Sequence, residues 1–167
     1  MKLFICLAIL ALAGCSPYIV NDYVHDESKT HSRVSFEMLG ANAHAQSMRL
    51  SLLNLPGCEQ KPTLSNLGSL INTIFVDRQN IELRLPSNEV LNLHYSNSME
   101  SMALRMECEW LGSYILLEDH EYLLQGTNIT PKSDGCEVEF MGRKIGEDNY
   151  AKIASVEPNL PYCESNN

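Results

Sequence analysis

Side chains able to do chemistry are present in this chain, but they do not assemble into a familiar catalytic pattern. It has no G-x-S-x-G turn to expose a nucleophilic serine, no H-E-x-x-H to set two imidazoles on one helix face, and no glycine-rich loop to cradle phosphate. Glu107, Glu109, Glu137 and Glu139 could supply the paired carboxylates that glycoside hydrolysis needs. They alternate with Met106, Cys108, Val138 and Phe140, however, which puts them on the solvated side of their strands. Asp119-His120-Glu121 and His25-Asp26-Glu27 concentrate metal-ligand types. A metal site needs three or four convergent ligands, and neighbours on an extended chain point in opposing directions. Met99, Met102 and Met106 offer thioethers that suit copper(I), yet Met102 and Met106 continue the inward row ending at Cys108 and Trp110, where methionine fills core space. The same phase predicts a packed rather than an exposed Trp110. No catalytic residue, cofactor-binding residue or metal ligand is assigned.

The start of the chain carries a sharper signal. Lys2 supplies a positive charge, and Leu3 to Ala13 is an almost purely apolar run ending in small residues, the pattern of a secretory signal peptide. The run is too short to span a bilayer as a helix, which takes about 20 apolar residues, so removal of residues 1–14 is expected. Leu12-Ala13-Gly14-Cys15 resembles the lipobox of bacterial lipoproteins. That resemblance covers only this junction. It implies acylation of the Cys15 thiol, Cys15 as the new N-terminus, and a lipid bilayer as one partner. By the same resemblance, Ser16 after the modified cysteine is compatible with transfer to the outer membrane, facing the periplasm, with surface display left open.

With Cys6 leaving in the signal and Cys15 acylated, Cys58, Cys108, Cys136 and Cys163 remain. An even number in an oxidising compartment points to disulfides, and four cysteines allow three pairings. Inward positions on two strands that one intervening unit could bring side by side favour Cys108 with Cys136, which leaves Cys58 with Cys163. No two of the four are close enough in sequence for a C-x-x-C metal knuckle.

The elements that would carry these residues read as short strands. Val34, Phe36 and Met38 recur at every second position, as do Met48, Leu50 and Leu52. Ile81, Leu83 and Leu85 precede the turn residues Pro86-Ser87-Asn88, and Leu91, Leu93 and Tyr95 follow, a hairpin signal. Met102 to Trp110 alternates most clearly, and Tyr114 to Leu117, Glu121 to Gln125 and Cys136 to Phe140 complete the set. Leu64 to Ile74 is open: Leu67, Leu70, Ile71 and Ile74 fit a short helix near 64–72, while Asn72 to Val76 could equally enter a strand. The pattern predicts an all-β chain, an antiparallel β-sandwich of about seven or eight strands in one domain over 33–156. A lipidated, flexible tether would occupy 15–32 and a tail 157–167.

Charge narrows the partners. The chain has 12 basic and 21 acidic residues, and its arginines are scattered among carboxylates rather than clustered, which argues against nucleic acid. A strong anchor signal without a convergent set of reactive groups predicts a non-enzymatic binding or structural module of an envelope assembly, such as secretion or pilus machinery, acting on an envelope protein partner. The alternative is a periplasmic immunity or inhibitor protein that meets a basic toxin or lysozyme-like enzyme through Glu118-Asp119-His120-Glu121. An enzyme acting on the cell wall ranks third, for want of a reactive constellation.

Overall fold

The computed structural model describes residues 19–39, 45–54, 62–73, 77–100, 105–126 and 136–157. The alternations seen in the sequence become strands, eleven among the described residues: β1 (Ile19–Asp22), β2 (His31–Met38), β3 (Ala45–Asn54), β4 (Thr63–Asn72), β5 (Asp77–Arg78), β6 (Asn80–Pro86), β7 (Val90–Glu100), β8 (Arg105–Ile115), β9 (His120–Gly126), β10 (Val138–Lys144) and β11 (Ala151–Lys152). They form two packed sheets. Sheet I runs β1-β4-β3-β7-β8, with β5 also on β4, and sheet II runs β11-β10-β9-β2-β6.

The expected all-β, two-sheet core is present. Val34 and Phe36 of β2, Met48 and Leu50 of β3, Leu93 and Tyr95 of β7, and Leu124 of β9 are fully buried in one cluster. The Phe36 and Tyr95 rings meet edge to face across it. Cys108 of β8 and Cys136, just before β10, form a disulfide with Cα atoms 5.3 Å apart, so the bridge joins sheet I to sheet II. Cys58, Cys163 and the acylation candidate Cys15 lie outside the described residues.

Four expectations change in detail. The sheets are mixed rather than purely antiparallel, because β1 pairs β4 and β2 pairs β9 in parallel. Parallel partners are joined through long crossovers, and local periodicity carries no trace of them.

The proposed short helix near 64–72 is strand β4, and a bulge explains the misleading spacing. Leu50 lies opposite Gly68 and Ser51 opposite Asn66, which leaves Leu67 unmatched. One extra residue shifts the phase of the strand, so Leu67 and Leu70, three apart, both pack into the core. Gly68 has a steric reason at this point: a Cβ there would collide with Ile81, so glycine lets β6 of sheet II close against β4.

The expected hairpin at 86–88 is a corner. β6 pairs β2 and β7 pairs β3 and β8, so Ser87-Asn88-Glu89 carries the chain from one sheet to the other. Asn88 takes the left-handed conformation there, φ 62°, which a short polar side chain tolerates.

Finally, part of the segment read as tether is structured. Ile19–Asp22 is strand β1, exposed along its whole length and held by backbone pairing to β4. An edge strand that buries no apolar side shows no alternation by which to recognise it.

Candidate functional site

β6 ends sheet II with no strand beyond it among the described residues. Its inward residues Ile81, Leu83 and Leu85 seat it on the core, while Glu82 and Arg84 face solvent. The backbone edge of such a strand presents unpaired N–H and C=O groups. Beside it runs a groove of 300 Å³ lined by Tyr23, His25, Leu67 and residues 82–85.

The far wall of this groove comes from the segment that crosses between the sheets after β1. Tyr23 N–H donates to the Asn66 carbonyl at 3.1 Å, which extends the β1–β4 ladder by one residue. The turn that follows is closed by Asp26, whose Oδ1 accepts from Ser28 Oγ at 2.6 Å and from Ser28 N–H at 3.0 Å. These two bonds hold the Asp26 carboxyl below its usual range, the hydroxyl contributing more. Lys29 Nζ reaches Glu89 at 2.8 Å, and Ser87 N–H donates to the Thr30 carbonyl at 2.9 Å, fastening the segment to the corner before β7. The Tyr23 hydroxyl is buried and has no hydrogen-bond partner among the described residues, and burial raises its pKa. A groove with apolar walls next to an open edge suits an extended chain, whose side chains can enter it while its backbone pairs with the edge.

The outer face of sheet II carries a second arrangement. Arg84, Arg33, Glu121 and Arg143 stand in one row across β6, β2, β9 and β10. Glu121 is shared: its Oε1 lies 3.1 Å from Arg33 Nη1 and its Oε2 2.9 Å from Arg143 Nη2. The Arg143 guanidinium also lies 4.5 Å from the centre of the Tyr150 ring. Like charges opposite one another on a sheet repel, and Glu121 between two arginines offsets that cost.

Beside this row, Oδ1 of Asp119 is 2.6 Å from Nδ1 of His120, and Oδ2 is 3.7 Å from Nζ of Lys144. The His120 hydrogen bond is the main reason that the Asp119 carboxyl is held below its usual range. A depressed carboxyl pKa favours the folded state at neutral pH, and the benefit disappears as pH falls through the depressed value. In a carboxyl-carbon NMR titration Asp119 should therefore titrate below ordinary aspartates, and His120→Ala should bring it back up. An unchanged midpoint in the variant would contradict the contact.

The turn read as a candidate acidic probe, Glu118-Asp119-His120-Glu121, thus has Asp119 and Glu121 already engaged within the molecule. The other sequence candidates separate. Glu107 and Glu109 lie on the outer face of sheet I, with Glu107 paired to Arg105, whereas Glu139 lies on the outer face of sheet II. These carboxylates therefore cannot converge. Met99 is buried opposite half-buried Met106 on the β7–β8 pair, and Met102 lies outside the described residues. Trp110 is half-buried and stacks on Tyr114 with ring centres 6.0 Å apart. Among the described residues no group of three or more His, Cys, Asp or Glu could hold a metal ion.

Sequence reasoning missed the β6 groove. Residues 81–85 announced a strand, but edge position is a property of the sheet rather than of the strand. No protein-family model, curated protein or solved structure matches the chain.

Proposed function

We propose that this protein is a lipid-anchored envelope module that works by binding another envelope protein, with the β6 edge and its groove as the docking site. The observation that carries the reading is the open β6 edge with a 300 Å³ groove beside it, walled by Tyr23, His25 and Leu67. An extended segment of the partner would add a strand to β6, with backbone hydrogen bonds giving affinity and alternate side chains entering the groove. The lipobox at Leu12-Ala13-Gly14-Cys15 supports acylation at Cys15 and a periplasm-facing outer-membrane location. The Cys108–Cys136 disulfide fits an oxidising compartment.

The inhibitor alternative finds less support, since two carboxylates of its acidic turn are taken up by Arg33, Arg143, His120 and Lys144. Photoreactive residues tested one at a time in intact cells distinguish the faces. At Glu82 or Arg84 they should capture one discrete protein neighbour, and at Glu109, on the outer face of the other sheet, they should not. Equal capture at both faces, or none at β6, would sink the β6 assignment.

A further inference from the structure

We infer that the end of the sandwich where β1 begins rests directly on the bilayer, as an apolar docking surface for zwitterionic lipid headgroups. The inference rests on the proposed acylation of Cys15 and adds to it the orientation of the folded domain.

Its first support is chain length. Ile19 is the first residue of β1, and four peptide steps separate it from Cys15. Consecutive Cα atoms are ~3.8 Å apart, so Ile19 cannot lie farther than roughly 15 Å from the acylated residue whatever the linker's conformation. That reach is shorter than the domain itself, since an eleven-residue strand such as β7 extends ~35 Å at about 3.3 Å per residue. A domain tied so closely at one end meets the headgroups with that end.

The second support is what this end displays. Pairing brings the start of β1, the end of β3 and the start of β4 together through Ile19, Asn54 and Thr63, and places Val90 of β7 beside Ile115 of β8. The β6–β7 corner, the β8–β9 turn and the turn after β10 lie at the same end, the last two joined by the Ile145 N–H to Asp119 carbonyl bond. Here the described residues expose Ile19, Val20, Val24, Val90, Ile115, Leu117 and Ile145, with Val24 82% and Ile145 61% exposed. At the opposite end they expose Leu39 and Ile71, and midway along β8 they expose Leu111. Most of the exposed aliphatic side chains thus gather at one end, and such a cluster marks a contact surface. The acyl chains hold them at high effective concentration against the interface, where even shallow insertion is favourable.

Charge selects the kind of lipid. Asp22, Asp26, Glu118 and Asp119 are exposed among these aliphatic residues, while Lys29 and Lys144 are each taken up by a carboxylate. Such a surface gains nothing from anionic lipid, so the contact is apolar, insensitive to salt and suited to neutral headgroups.

The test uses the acylated protein, mature from Cys15, on phosphatidylethanolamine–phosphatidylcholine vesicles, compared by amide hydrogen exchange with an unlipidated form in solution. Exchange in 19–30, 115–119 and 144–148 should slow by about tenfold on vesicles, while 77–80 at the far end keeps its solution rate. Adding phosphatidylglycerol or salt should not increase the protection. A Val24→Glu, Ile145→Glu variant should remain on the vesicles through its acyl chains yet lose the protection. If the acylated protein floats with vesicles and these segments exchange as in solution, the docking surface is wrong while the anchor stands. If it does not float with vesicles at all, the anchor itself is wrong and the docking surface falls with it.

Discussion

Replacing both Cys108 and Cys136 by alanine is expected to lower the stability of the domain by roughly 3–4 kcal/mol, the chain-entropy value for a loop of this size. The bridge spans 28 residues of sequence and ties the outermost described strand of sheet I to the segment entering β10. Without it, the denatured chain regains the freedom that the covalent loop removes, while the folded state keeps its core. Cys136 packs against that core, and Trp110, two residues from Cys108, stacks on Tyr114, which meets Phe140 edge to face at 4.7 Å. Alanine at both positions therefore adds a packing loss to the entropic one. Guanidinium unfolding followed by the emission of Trp110, the sole tryptophan, measures the difference. A double variant within 1 kcal/mol of the parent, on the scale of an ordinary surface substitution, would mean that the disulfide is not what holds the two sheets together at this edge.

Much of the fold was legible because most strands bury one face. The alternation through Met106, Cys108 and Trp110 fixed the phase of β8 and put Cys108 on the side from which it reaches Cys136. The same logic located β2, β6, β7, β9 and β10. Where a strand departs from the simple pleat, the signal failed for a physical reason. The bulge at Leu67 gave β4 a three-residue spacing that imitates a helix, and β1 has no buried side to betray it.

Pairing was less legible than the strands themselves. Ile81–Leu85 and Leu91–Tyr95 look like the arms of a hairpin, but the same turn residues serve equally to change sheets, and only the packed molecule decides between the two. The candidate site suffered from this limit most. Its groove depends on β6 being an edge and on Gly68 letting that edge approach β4, and Tyr23 and His25 reach it from a segment whose composition suggests a tether.

The two docking surfaces lie on different parts of the molecule. The end proposed to face lipid is the one where β1 begins, and the β6 edge runs from it, at Pro86, towards the other, at Asn80. A partner strand added to β6 would then lie along the side of the domain, with the bilayer at one end of the interface.

The largest expected effect of any single substitution is that of Cys15→Ser. Each buried methylene contributes ~0.8 kcal/mol to membrane attachment, so one acyl chain holds only marginally and several hold firmly. Without the thiol no chain can be attached, and the exposed aliphatic residues at the β1 end cannot hold the domain by themselves. Intact mass and flotation of the protein purified from cell membranes decide the matter. The parent should begin at Cys15, carry acyl groups and float with the membrane fraction, whereas the serine variant should not be acylated or cleaved at this junction. A parent that begins elsewhere without lipid, or a serine variant processed and fractionated like the parent, would contradict the proposed anchoring.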